Sequence, residues 1–182
     1  MEYFLIQQDK RYANAPVLKE VFKTIDKRNI CKEFCNRIAR VTTFSVVPNK
    51  EINYLDFLDG QLLLVSTPLQ NLFAKYQPDL LFKQVVLIDF ENGHTETYWL
   101  PILERVACIG TGSKFNRDQS VLQRIVLKEA AIPDLSLFQL EGVTAPYVIV
   151  RLDLAESIMR RNFKGIKLTR LAKENLDEVK RK

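Results

Sequence analysis

Lys83-Gln84-Val85-Val86-Leu87-Ile88-Asp89-Phe90-Glu91-Asn92-Gly93-His94-Thr95-Glu96-Thr97-Tyr98-Trp99-Leu100 reads as a β-hairpin, and this reading decides the fold class. The arms Lys83 to Phe90 and Thr95 to Leu100 are rich in β-branched and aromatic residues. They flank Asn92-Gly93, a pair that tolerates positive φ and predicts a type I′ turn. The return arm places Thr95, Thr97 and Trp99 on one face and Glu96, Tyr98 and Leu100 on the other.

Upstream, Gln61 to Ser66 is a compact apolar strand. Thr67 is the expected N-cap of a following helix, with Pro68 at its first position and Gln70 closing a capping box. Leu69, Leu72, Phe73 and Tyr76 recur at helical spacing until Gln77-Pro78. Val41 to Val47 alternates as a strand and stops at Pro48-Asn49. A helix is expected over Ile30 to Ala39, where Ile30, Phe34 and Ile38 repeat and Glu33 can pair with Arg37. Pro16 opens a short helix through Val21, Phe22 and Ile25, and Tyr3 to Gln7 is a first strand.

Downstream, Gly110 to Gln119 suits a surface loop, and Val121 to Leu127, Leu137 to Leu140 and Tyr147 to Val150 suit strands. Asp153 is the expected cap of a helix with Glu156 three residues on. Leu154, Ala155, Ile158, Met159 and Phe163 form its apolar side, and Gly165 is its stop. A last strand begins at Ile166, Leu168 and Arg170. These elements predict one α+β domain over 1–182, with a mainly antiparallel sheet, a central hairpin and several short amphipathic helices. Residues 171–182 are expected as a basic, frayed tail.

Composition agrees with a globular domain: of 182 residues, 47% are hydrophobic and 27% charged, ordinary values for a packed core. No apolar run reaches the length of about 20 residues that spans a bilayer. The start, Met1-Glu2-Tyr3-Phe4-Leu5-Ile6, lacks a basic n-region and is cut short by Gln7-Gln8-Asp9, so a cytoplasmic protein without membrane partners is expected. Cys31, Cys35 and Cys108 follow no framework spacing, as reduced thiols would.

Charge is one-ended. Residues 151–182 hold ten Lys or Arg against five Asp or Glu, which is the whole net +5. Arg151, Arg160, Arg161, Lys164, Lys167 and Arg170 are therefore the candidate partner-binding residues. Phe163 among them is read as core rather than as a stacking group for nucleic acid, and Lys180-Arg181-Lys182 as a solvated terminus.

Little else suggests chemistry. His94, the single histidine, follows the turn at an exposed tip, where a general base has neither partner nor shelter. Cys31 and Cys35 would share one side of a helix, yet the spacing is no zinc knuckle, so they are read as small buried hydrophobes. Gly110-Thr111-Gly112-Ser113-Lys114 lacks phosphate-loop spacing. Asp56 and Asp59 are too generic a pair for glycoside chemistry. No catalytic residue, metal or cofactor is expected, and the domain reads as a non-enzymatic binding protein.

Several segments, in order, resemble one family. They are Ala13-Asn14-Ala15-Pro16, Leu62-Leu63-Leu64-Val65-Ser66, and Phe82 to Glu104 with Val85-Val86-Leu87-Ile88-Asp89 and Thr95 to Leu103. Ser136-Leu137-Phe138, Arg151 to Ser157 and Gly165-Ile166-Lys167-Leu168-Thr169 complete the set. Together they resemble bacterial immunity proteins of polymorphic toxin systems, a family long known as a domain of unknown function. The resemblance implies an α+β protein that neutralises a cognate toxin by stoichiometric binding, and a basic C-terminal region points to a toxin with an acidic surface. A nucleic-acid-binding or regulatory module using the same basic region is the alternative.

Overall fold

The computed structural model of the chain describes residues 1–117 and 121–174. Among the described residues the chain forms two five-stranded sheets and two two-stranded ribbons. The terminal sheet contains β1 (Tyr3–Gln8), β7 (Arg105–Val106), β11 (Leu137–Leu140), β12 (Val148–Arg151) and β13 (Ile166–Arg170), in the order β13-β1-β12-β11-β7. The hairpin sheet contains β2 (Val41–Ser45), β3 (Phe57–Leu58), β4 (Leu64–Ser66), β5 (Leu81–Asp89) and β6 (His94–Ile102), in the order β2-β5-β6-β4-β3. The ribbons pair β8 (Lys114–Phe115) with β9 (Leu122–Arg124) and, in parallel, β10 (Val126–Leu127) with β14 (Ala172–Lys173).

The architecture is thus two mixed sheets where one was expected. Most neighbours run antiparallel, but β2 lies parallel to β5 and β7 parallel to β11. The division follows from burial. Val85, Leu87, Tyr98 and Leu100 close one core cluster under the hairpin, and Leu5, Phe138, Leu140 and Ile149 close another beyond the terminal sheet. Between the sheets a third cluster joins Phe57, Val65 and Leu69 to Ile6, Val148, Val150 and Leu154.

The hairpin arms match the expected alternation: Tyr98 and Leu100 are buried while Thr95 faces solvent. Its turn differs. Asp89 pairs with His94, so Phe90 to Gly93 form a four-residue loop, and of Asn92-Gly93 only Gly93 has positive φ, +61°. The cause is Asp89, whose buried carboxylate accepts the N–H groups of Glu91 and Asn92, each at 3.1 Å, and the Asn92 side-chain amide at 2.7 Å. These bonds fix a wider loop than a type I′ turn.

α1 (Val21–Thr24) is a single turn, and the helix expected at Ile30 to Ala39 is replaced by two 3₁₀ turns, Lys27–Asn29 and Cys35–Arg37. Asp26 caps the first turn on Arg28 N–H at 3.0 Å. Cys35 and Ile38 are buried three residues apart, a 3₁₀ spacing rather than the four-residue repeat. Arg37 lies 4.6 Å over the Phe34 ring instead of pairing with Glu33.

α2 (Thr67–Tyr76) buries Leu69, Leu72 and Phe73 as expected, but its N-cap is Ser66, whose hydroxyl accepts Leu69 N–H. α3 (Leu152–Met159) begins two residues early, with Arg151 as N-cap. β12 runs directly into it, so Asp153 falls in the first turn, where it binds Arg151 at 2.9 and 2.8 Å and accepts Leu154 N–H at 2.9 Å. Leu154, Ala155 and Ile158 are buried, whereas Met159 is 59% exposed. Gly165 is not the helix stop. At φ +78° it turns the chain into β13 with Leu55 packed against its Cα, where a Cβ would lie 2.8 Å from Leu55 Cδ1.

Val121 to Leu127 divides between β9 and β10, Lys114–Phe115 of the expected loop form β8, and Asp118 and Gln119 fall outside the described residues. Of the expected tail, Ala172–Lys173 form β14 and Lys173 Nζ reaches Glu129 at 2.8 Å. The remainder, 175–182, lies outside the described residues. No described helix is long and apolar enough to cross a membrane.

Candidate functional site

At the end of the terminal sheet where β1 runs out and β13 begins lies a cleft of about 870 Å³. Gln7 and Lys167, a cross-strand pair, line it beside Tyr147, which immediately precedes β12. Asp9, Lys10 and Arg11 after β1, Asp59-Gly60 after β3, Ala145-Pro146, and Ile166 and Leu168 of β13 also line it. Four separated stretches of sequence therefore meet at one corner.

The acids of the cleft are already engaged. Asp9 is buried, and its carboxylate accepts Arg11 N–H at 3.0 Å and the Arg11 guanidinium at 2.6 to 3.1 Å. The Arg11 side chain, followed by its backbone N–H, holds the Asp9 carboxyl below the usual carboxylate range. Asp59 accepts Gln8 N–H at 3.0 Å. Tyr147 Oη accepts Leu122 N–H at 3.1 Å, which fixes the ring. Lys10 and Lys167 are exposed and make no hydrogen bond or ion pair among the described residues, although Lys167 acts on the Asp9 carboxylate through space, and the Arg11 side chain is 87% exposed. The corner therefore presents Lys10, Arg11 and Lys167 to solvent beside a buried Asp9 and a half-buried Asp59 that accepts Gln8 N–H, a cationic excess suited to a carboxylate or phosphate.

Of the six residues proposed from sequence, only Lys167 lines this cleft. Arg160 and Arg161 sit together past α3, where Arg160 pairs with Glu156 at 3.2 Å and Arg161 donates to Ser157 O at 2.7 Å. Lys164 Nζ donates to Asn53 Oδ1 at 3.1 Å. Arg170 pairs with Glu2 at the far end of β13. Arg151 is the least available: its side chain is 21% exposed and bridges Asp134 and Asp153 at 2.7 and 2.8 Å. Lys167 and Arg170 lie on opposite faces of β13, because three residues separate them in a strand of period two. The six are distributed over the corner, not gathered in one patch.

Lys10, Arg11, Gln7 and Tyr147 were not singled out from sequence, since they carry no motif and meet only through strand register. A second basic stretch was also hidden, by the neutral total of residues 1–150. Residues 19–40 hold seven Lys or Arg against three Asp or Glu, and a sliding charge count exposes them. There Lys27 lies 4.6 Å over the exposed Phe22 ring.

His94 occupies the hairpin tip, exposed, with Nε2 3.2 Å from Glu96 Oε2 and its ring 4.5 Å from Tyr54. Cys35 and Cys108 are buried and Cys31 is half-buried, all as free thiols. Burial pushes the Cys108 thiol up to about 11. Among the described residues no three His, Cys, Asp or Glu side chains group as a metal site. A scan of known protein-family models and a search of curated proteins return no match to this chain.

Proposed function

We propose that this chain is a non-enzymatic binding protein that neutralises a cognate bacterial toxin, the role implied by its resemblance to immunity proteins of polymorphic toxin systems. One observation carries the binding part of this reading: among the described residues Lys10 and Lys167 make no hydrogen bond or ion pair, in a cleft where Asp9 is bound by Arg11 and Asp59 by a backbone N–H. Such a surface attracts an anionic group without offering it a reactive one. The occupant is an acidic surface of the toxin, and Lys167 belongs to the contact together with the cleft residues Lys10 and Arg11. Three free thiols suit action in the reducing cytoplasm. The antiparallel core of each sheet supplies the rigid α+β scaffold that positions the cations.

Co-expression with the product of the adjacent gene tests the proposal. The expected outcome is a complex of fixed stoichiometry by light scattering, and survival of cells that the neighbouring gene product otherwise kills. A neighbour that neither binds nor harms cells sinks the immunity role.

A second reading, nucleic-acid binding, is favoured by the stretch 19–40, where Lys27 and Arg37 each lie 4.6 Å from an aromatic ring. Cations interleaved with rings are the equipment for single strands. Fluorescence anisotropy with single-stranded oligonucleotides decides it, since real binding weakens steeply with salt.

A further inference from the structure

β13 is an edge strand, and its backbone faces two ways. Asp9 N–H donates to Gly165 O at 2.9 Å and Leu171 N–H to Tyr3 O at 3.0 Å. Antiparallel alternation then makes Gly165, Lys167, Thr169 and Leu171 the residues whose backbone groups turn to β1. The N–H and C=O groups of Ile166, Leu168 and Arg170 point away from it, and β13 ends the strand order of its sheet. No described residue hydrogen-bonds to these outward groups.

One position earlier the same line of backbone is occupied. Lys164 N–H donates to Asp56 Oδ2 at 2.6 Å, and Asp56 N–H donates to Lys164 O at 2.9 Å. An acidic residue thus docks on this edge through backbone and carboxylate together. Beyond Gly165 the edge is free, and its surroundings are cationic. Among the described residues Lys167 makes no hydrogen bond or ion pair, Arg170 has only an exposed pair with Glu2, and Lys10 and Arg11 line the adjoining cleft. Exposed pairs of this kind hold little energy and exchange readily. Ile166 and Leu168 are half-buried and offer apolar contact beside the open backbone.

We infer that the free edge of β13 receives an extended, acidic peptide segment of a partner protein, which adds as a further strand from Ile166 to Arg170, sets its carboxylates on the Lys167 face and its apolar side chains beside Ile166 and Leu168. Strand addition supplies main-chain hydrogen bonds, and the flanking charges select the sequence. A second copy of this chain is a poor occupant, because two such edges would set like charges against each other. The inference rests on the protein-binding reading above and names the chemistry of the bound segment.

Amide hydrogen exchange on the full chain tests it, with two blocked peptides as probes: one alternating Val and Glu, the other alternating Val and Lys. The Val-Glu peptide is expected to slow the Ile166, Leu168 and Arg170 amides by about tenfold at saturation, and the Val-Lys peptide to leave them unchanged. Arg170→Pro, which removes one outward N–H without touching the β1 ladder, and Lys167→Glu, which reverses a charge, should each weaken the slowing. The wild-type measurement stands alone if either variant fails to fold. Slowing by neither peptide, equal slowing by both, slowing by a single-stranded oligonucleotide instead, or concentration-dependent slowing without peptide overturns the inference. The two proposals fail separately. A toxin complex in which these amides exchange as in the free chain removes the edge but keeps the immunity role. Selective slowing by the Val-Glu peptide without any toxin complex does the reverse.

Discussion

The two sheets are assembled by opposite means. In the hairpin sheet, β5 and β6 are nine-residue arms joined by the short loop Phe90 to Gly93, with nine pairs in register from Leu81–Ile102 to Asp89–His94. In the terminal sheet, Phe4 of β1 lies between Val150 of β12 and Arg170 of β13, partners from the other end of the chain. Local pairing closes a small loop, whereas the terminal sheet must bring the chain ends together before any contact rewards it. The difference teaches where binding surfaces arise. The hairpin tip satisfies itself through Asp89, and the corner assembled from distant segments is left with free cations and an open edge.

The largest effect should come from the core packed between the two sheets. Phe57, fully buried in the cluster that joins them, should cost about 3–5 kcal/mol when replaced by Ala. Urea unfolding followed by Trp99 fluorescence, which reports the hairpin sheet, and by far-UV circular dichroism should shift together. Separate transitions would mean that the sheets do not share one cooperative core.

Two glycines then compare the regions directly. Gly165→Ala forces a left-handed residue against Leu55 and should cost about 2–3 kcal/mol. Gly93→Ala at the hairpin tip meets nothing within 4 Å and should cost about 1 kcal/mol. Equal shifts in thermal unfolding would erase the contrast between a packed junction and an open turn.

A gentler probe of the turn is acid. Hydrogen bonds from Asn92, first from its side chain and then from its backbone, hold the Asp89 carboxyl below the usual range. Its contribution is therefore complete above the ordinary carboxylate value, roughly pH 4, and is lost as pH falls through the lower folded-state value. Denaturation midpoints compared between pH 6 and pH 3 should fall less for Asp89→Asn than for the wild type. An identical fall removes Asp89 as the organiser of the turn.

The smallest effect on stability is expected at the cleft. Lys10→Glu with Lys167→Glu removes no hydrogen bond among the described residues and should leave unfolding within about 0.5 kcal/mol of wild type, while binding of the acidic partner is lost. A variant that binds the toxin as tightly as wild type moves the interface elsewhere.

Legibility in the sequence followed the range of the forces. The hairpin arms, the buried side of α2 and β13 were read correctly because alternation and helical spacing are local properties of consecutive residues. The expected helix starts lie one residue late at Thr67 and two residues late at Asp153. In both cases a strand runs straight into the helix, so the last residue of the strand, Ser66 or Arg151, takes the cap position. The four-residue repeat at Ile30, Phe34 and Ile38 failed because burial selected Cys35 and Ile38 instead. Of the residues proposed for binding, charge counting reached Lys167 and Arg170, but it also named Arg151, whose guanidinium is spent between Asp134 and Asp153.

By itself the sequence determined the hairpin, the apolar faces of its helices and the excess of positive charge, since each is written in neighbouring residues. Only the tertiary structure decided which cations stand free and where an edge stays open. Those depend on which carboxylates and strands arrive from the far ends of the chain, and no local pattern records that meeting.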